Sequence, residues 1–464
     1  MGIGRARRNW FLARIFVPGA GALIATALVP CSGAAAYQEK VLYSFCPGGG
    51  TDCTDGSFPV AGLIGDASGN LYGTTAAGGA QGDGTVFELT PNAAKTGWTN
   101  KVLYSFCALA SCTDGEVPLA GLIMDAPGNL YGTTYEGGSG GDVESSGGTV
   151  FELIPNAAKT AWAHKVLYSF CAKAGCTGGV NPNAGVIMDA SGNLYGTTVF
   201  GAVGGSGGGT VFELTPNAAK TAWTETVLHS FCSQANCADG ANPEAGLIRN
   251  ASGNLYGTTA VGGAFGDGTV FELKPNAAKT EWTHKVLYSF CAQAGCPDGE
   301  FPDAGLIGDA SGNLYGTTFL GGAAGAGTVF ELTANKTLMA WTETVLYSFC
   351  ALASCTDGSR PYAGLIRDAS GNLYGTTLYG GITTSIFTSG SGTVFELTPN
   401  AAKTAWTETV LHSFCSPAGC ADGANPEAGL IRVPSGNLYG TSVEGGISSS
   451  SIPAGAGVVF ELVK

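Results

Sequence analysis

Apolar residues in this chain come in short runs rather than along helical stripes. Between residues 120 and 170 four runs stand out: AGLIMD at 120–125, LYGTT at Leu130–Thr134, TVFEL at 149–153 and WAHKVLYSF at 162–170. Each is rich in β-branched or aromatic residues and bounded by Gly, Pro, Asn or Asp, which favour turns. The pattern predicts four short antiparallel strands. No stretch has the spacing of three and four residues that a long amphipathic helix requires. Strands of about six residues are also too short for an outer-membrane barrel, which needs about 9–11.

The four runs recur seven times. VLYSF or VLHSF begins at 41, 102, 166, 227, 286, 345 and 410, a spacing of 59 to 65 residues. Each copy leads into a Cys, a short loop, a second Cys, Pro, AGLI or AGVI, a turn such as DASGN, then LYGT, a Gly-rich loop and a form of TVFEL. A period of this length predicts a propeller, a solenoid or an array. Four strands per copy fit an all-β, seven-bladed β-propeller. The two ends of the repeat agree with that choice. Residues 37–45 read as a fourth-type strand with no strands before it, and the seventh copy stops after its third strand, at 459–463. The first strand is therefore expected to close the last blade by pairing with residues 458–462.

The unit AGLIxDASGNLYGTT…GGxxGxGTVFEL…W…VLYSF resembles the GloVer-type tandem repeat family of secreted bacterial proteins. The resemblance covers residues 37–464. It implies β-propeller-like repeats and export, and it implies no activity or catalytic residue. Members often carry a carboxy-terminal anchor or sorting signal; none follows the last repeat here, so surface retention is not expected.

Composition narrows the class. Gly and Pro, 75 and 20 of 464 residues, make the chain turn-rich, while 44% hydrophobic residues suffice for a core and exclude disorder. Residues 1–36 carry Arg5, Arg7, Arg8 and Arg14, an apolar run, and Ala34-Ala35-Ala36 before Tyr37. They read as a signal peptide, with a twin-arginine-like Arg7-Arg8-Asn9-Trp10-Phe11. The alternative, a membrane anchor, is disfavoured by a run shorter than the ~20 residues of a span. The remainder, 37–464, is expected to be one propeller with no membrane span. Without the four Arg the formal charge moves from −14 to −18, since 17 bases (21 less four) face 35 acids. Such a chain repels nucleic acid. A secreted, periplasmic or extracellular monomer is expected.

Fourteen of the 15 Cys fall into seven local pairs: Cys46 with Cys53, Cys107 with Cys112, Cys171 with Cys176, Cys232 with Cys237, Cys291 with Cys296, Cys350 with Cys355 and Cys415 with Cys420. In an exported chain these are expected to be disulfides, each pinning a short loop. A zinc site needs four ligands, and each pair supplies two with no adjacent His. The four His lie on predicted outer strands and form no triad. The strings at 137–141 and 204–208 match G-x-S-x-G but lack the strand-to-helix elbow that gives it meaning. The Trp column (Trp98, Trp162, Trp223, Trp282, Trp341, Trp406) is read as packing, with sugar stacking as the alternative. The Asp of DASGN is read as shaping a turn. No cofactor is expected. Calcium enters only if the Asp-Gly acids of the disulfide loops (Asp55, Asp114, Asp239, Asp298, Asp357, Asp422; Gly178 in the third copy) act as a ring.

In a propeller the disulfide loops and the Gly-rich loops emerge on one face. That face varies between copies, whereas the DASGN and TPNAAKT turns of the other are nearly identical, and binding concentrates where loops vary on a rigid scaffold. The residues around the Pro that opens each inner strand differ most. They are expected at the channel mouth, and Asn242, Glu244, Asp303, Arg360, Tyr362 and Glu427 are the candidate ligand-binding set. The favoured function is an exported binding module for an extracellular saccharide or protein. The alternatives are a structural surface scaffold and a polysaccharide lyase or glycosidase. For the enzyme, Glu244, Asp303 and Glu427 would serve as acid and base.

Overall fold

The computed structural model describes residues 37–49, 53–139, 147–171, 174–201, 207–335, 340–417, 419–449 and 451–464. The expected signal peptide, 1–36, lies outside them, as do parts of both G-x-S-x-G loops. The strands form seven four-stranded sheets, and all pairings are antiparallel. In the first blade they are Ile64–Gly65, Leu71–Thr75, Thr85–Pro91 and Trp98–Ser105, in sequence order from the axis outwards. The last blade takes its outer strand from the other end of the chain: Gln38–Ser44 pairs with Val458–Val463, from Gln38 opposite Val463 to Ser44 opposite Val458.

The second strand is buried along its whole length in every blade, because both of its faces meet side chains. Its glycine has a steric cause. A Cβ on Gly73 would stand 2.7 Å from the Phe87 ring and 2.9 Å from Leu63. Blades are joined by apolar layers such as Tyr72, Val86 and Phe106 against Leu122, Leu130 and Phe151. A side chain of that size contributes about 1.5–3 kcal/mol when fully buried. The last joint is built alike, with Tyr439, Val459 and Phe45 against Leu63, Leu71 and Phe87.

Two rings of polar and backbone contacts run round the axis. Thr74 donates its hydroxyl to the Ala120 carbonyl of the next blade at 2.9 Å, and each later blade repeats the bond until Thr441 donates to Ala61 at 3.0 Å. The glycine after that alanine packs on its counterpart next door. A Cβ on Gly62 would stand 3.2 Å from the Gly429 oxygen, and one on Gly121 equally close to the Gly62 oxygen. These contacts shorten the inner strand. The run expected as a strand over 120–125 is one only at Ile123–Met124, since Ala120 and Gly121 face the adjacent blades instead of a ladder partner.

All seven Cys pairs are disulfides. Cys46 is bonded to Cys53, Cys107 to Cys112, Cys171 to Cys176, Cys232 to Cys237, Cys291 to Cys296, Cys350 to Cys355 and Cys415 to Cys420. The loops they pin are more regular than expected. Cys112, Cys176, Cys237 and Cys355 each end a three-residue 3-10 turn where the sequence suggested only irregular loop. In each of these turns the middle residue and the second Cys have a left-handed backbone, with φ of +49° at Cys112 and Cys176 and +52° at Cys237 and Cys355. That turn helps fold a five-residue segment back on its partner. On the chain-entropy argument loops this small contribute roughly 2 kcal/mol each. Among the described residues no helix is long and apolar enough to cross a membrane.

Candidate functional site

The disulfide and Gly-rich loops share one face, bound to each other by bonds such as Gly79 N–H to the Cys53 carbonyl at 2.8 Å. Between them lies the residue before the Pro that opens each inner strand. In all seven blades it has a left-handed backbone, φ running from +54° at Arg360 to +59° at Asn181. Asn tolerates this readily, whereas a β-branched residue such as Val117 is strained there. Hydrogen bonds on both sides impose it. Arg360 N–H donates to the Ala326 carbonyl of the preceding blade at 2.7 Å, and its own carbonyl accepts from Leu378 N–H at 3.0 Å. The clamp fixes where each rim side chain starts.

From these starting points the blades diverge. Asn181, Asn242 and Asn425 turn their amides back on the preceding blade, donating to the Tyr135, Val199 and Leu378 carbonyls at 2.8, 3.4 and 3.0 Å. Asn242 thus ties blades together. Glu244 is 9% exposed, and its backbone carbonyl accepts from Asn183 at 3.1 Å. Asp303 sits at the entry to the fifth blade with its N–H on the Phe301 carbonyl. Arg360, Tyr362 and Glu427 lie further round, on the sixth and seventh blades. Residues that the sequence did not single out bring these three together. The Arg360 guanidinium lies over both the Phe319 and Tyr379 rings, 5.5 Å from each centroid. Each such contact is worth about 0.5–2 kcal/mol. Tyr362 meets Phe319 edge-on at 5.9 Å.

Charge knits the arc together. Burial, and then the neighbouring Glu444, pushes the Glu427 carboxyl up to about 7. Burial raises Glu444 as well. Tyr379 is pushed up to about 12, first by burial and then by Glu427 and Glu444, against the opposing pull of Arg360. Phe319, Tyr379 and Glu444 occupy the first two positions after LYGTT or LYGTS. That column varies between copies as much as the Pro column does, which was the available signal. Large apolar side chains are exposed on this face too: Leu352, Ile382, Ile386 and Ile447 in the fifth to seventh blades, with Leu109 and Phe265 elsewhere.

The acids of the disulfide loops do not form an open ring. Asp114, Asp239, Asp298, Asp357 and Asp422 are at most 4% exposed. Tyr104, Tyr288 and Tyr347 donate hydroxyls to Asp114, Asp298 and Asp357 at 2.7–2.8 Å, and loop N–H groups donate as well, Ala108 to Asp114 and Ser416 to Asp422. They are consumed by the fold. On the loop face Asp83 and Glu116 approach the bridge of Cys107 and Cys112, and Asp267 approaches that of Cys291 and Cys296. Sulfurs tied in disulfides are not metal ligands, which leaves each group short of a tetrahedral set.

The uniform columns are structural. Trp98, Trp162 and Trp282 pack edge-on against Tyr439, Tyr72 and Tyr195 of the preceding blades at 6.2–6.5 Å. Asp66 accepts the Ser68 and Asn70 N–H groups and the Tyr72 hydroxyl, closing its turn. His164 stacks on Tyr104 at 4.2 Å and His229 on His284 at 4.1 Å, on outer strands away from the mouth.

Among solved structures, a fungal alcohol oxidase of the AA5 family in complex with copper is 12% identical, with a TM-score of 0.49 over 92% of this chain and 76% of that one. The periplasmic gluconolactonase PpgL of Pseudomonas aeruginosa is 13% identical, with a TM-score of 0.44 over 76% of this chain and 84% of that one. No curated protein matches the sequence. The repeat itself is the informative likeness. The profile of the Gloeobacter/Verrucomicrobia repeat matches residues 30–238, 148–295 and 203–460, overlapping stretches that together take in every blade, and the chain belongs to that family.

Proposed function

We propose that this β-propeller is an exported binding module that takes an extracellular saccharide on its loop-rich face, at the arc of the fifth to seventh blades. One observation carries the reading: a nearly uniform ring is broken where Phe319, Arg360, Tyr362, Tyr379, Glu427 and Glu444 converge from three blades. Rings for stacking, a guanidinium and hydrogen-bonding carboxyls are what sugar recognition uses. Export is supported by the leader-like first 36 residues and by seven disulfides, which persist in oxidising compartments. The test is a glycan and peptide array with residues 37–464, followed by titration of the hits. Arg360→Ala and Tyr362→Ala should each weaken binding at least severalfold, and Ser191→Ala, in a turn of the opposite face, should leave it unchanged. Equal effects on both faces, or none on this one, would return the protein to the scaffold reading.

The glycosidase or lyase alternative gains from Glu427, which holds its proton to about 7 beside a second carboxyl, Glu444. That is the protonation a general acid needs. Product release from array-positive polysaccharides, abolished by Glu427→Gln, would establish it; binding without turnover would leave the module.

A further inference from the structure

We infer that the ligand of this site carries a carboxylate: the saccharide is a uronate-containing one, and Arg360 grips its acid group. The inference rests on the binding reading above and narrows it to a ligand class. The chain bears a net charge of −14, and of its described Arg residues Arg249, Arg367 and Arg432 lie beside the turns of the opposite face, which leaves Arg360 at the variable rim. Among the described residues no carboxylate pairs with its guanidinium, which is held instead over Phe319 and Tyr379. Neither ring takes up its N–H donors. A guanidinium fixed in place with its donors unspent is arranged for a planar, two-oxygen acceptor, and a carboxylate is that acceptor. The backbone beneath it is clamped at φ +54° between two blades, so little freedom is lost when the acceptor arrives.

The remainder of the arc favours a sugar acid over a peptide terminus. Burial raises Glu427 to about 7 and raises Glu444 as well, so the pair repels an anion less than two exposed carboxylates would, while its oxygens accept from sugar hydroxyls. One common peptide mode adds a strand to a free edge. The inner strands of these blades, Ile366–Arg367 and Ile431–Arg432, are two residues long and lie beside the turns of the opposite face, so the mouth offers no such edge.

The experiment is isothermal titration of residues 37–464 with galacturonate, mannuronate/guluronate and glucuronate oligosaccharides, each beside its carboxyl-reduced neutral form and an acidic peptide. At least one uronate should bind ten times or more tightly than its reduced form. Arg360→Gln should abolish that preference, Arg360→Lys should restore part of it, and Tyr362→Ala should weaken acid and neutral forms alike. Arg249→Gln, on the opposite face, should change nothing; melting curves establish that each variant is folded. Equal binding of acid and reduced forms overturns the carboxylate inference, yet leaves the saccharide site standing if Tyr362→Ala still weakens both. Binding that ignores Arg360 and Tyr362 alike overturns inference and site together. Binding of the peptide alone overturns the saccharide class while keeping the face.

Discussion

At four of the seven joints between blades a single carboxyl lies between neighbouring outer strands; at the other three there are two. The slot is the same throughout. An aromatic of one outer strand meets the loop acid beside it and the second residue after the Trp position of the next outer strand. Tyr43 with Asp55 faces Asn100, Tyr104 with Asp114 faces His164, and His229 with Asp239 faces His284. At the remaining single-acid joint Gly178 replaces the loop acid, and Tyr168 donates to Glu225 at 3.3 Å instead. The joints entering the fifth, sixth and seventh blades add Glu343 to Asp298, Glu408 to Asp357 and Glu39 to Asp422. Burial, and then the loop acid's charge, pushes Glu343 and Glu408 up to about 8 and Glu39 up to about 7. Burial pushes His164 and His284 down to about 4.

One fold position therefore gives two opposite dependences on acidity. A carboxyl that holds its proton more tightly folded than unfolded lends stability that is whole below its ordinary value of 4.5 and lost as pH rises through 7–8. A histidine kept neutral by the fold lends stability that is whole above 6.5 and lost as pH falls towards 4. The three two-acid joints flank the blades that carry the candidate site. Alkali should loosen that arc first.

The largest test of the contrast removes a joint altogether. Deleting residues 37–45 takes away Glu39 with its strand and unpairs Val458–Val463. Cooperative melting should be lost or fall by tens of degrees. A melting temperature within a few degrees of the parent would mean that the joints do not close a ring. A smaller test converts one class of joint into the other. Gly178→Asp should place a second acid beside Glu225, since a Cβ there already stands 3.2 Å from its carboxylate. We expect a loss of about 1–3 kcal/mol in urea at pH 8, largely recovered at pH 5; a pH-independent loss would reduce the effect to crowding. The smallest effect is expected from Glu343→Gln with Glu408→Gln. The parent's melting temperature should fall between pH 5 and 9, and the double variant's should fall less, with hydrogen exchange locating the difference at those joints. Identical slopes would break the comparison.

Much of this architecture was legible in the sequence because each blade repeats the same cues. Seven VLYSF-type strings, the split seventh unit and the paired Cys announce the blade count, the closure and the bridges. The inner strand was less legible. Its hydrophobic run looks like six ladder residues, but Ala120 and Gly121 spend their backbone on adjacent blades, a contact that no local pattern announces. The candidate site was half visible. Arg360, Tyr362 and Glu427 stand out in their own column, whereas Phe319, Tyr379 and Glu444 matter through register across blades. The pairing of Ser359 with Tyr379 and of Ala424 with Glu444 lays one variable column against the other. A string of letters does not show that adjacency.

The axial glycines carry a consequence for how such a gene can change. Near-identical tandem copies invite unequal exchange, which adds or deletes whole units. Every joint here repeats the same threonine-to-alanine bond and the same glycine-on-carbonyl approach, and so turns the chain by one seventh of a circle. The copy number is thereby written into the contact and not only into the count of repeats. A duplication yielding eight units would ask every joint to open at once, and a deletion to six would ask every joint to close on threonine-to-alanine bonds already 2.9–3.1 Å long. Selection can drift freely over the rim while the tally of blades stays fixed by an angle.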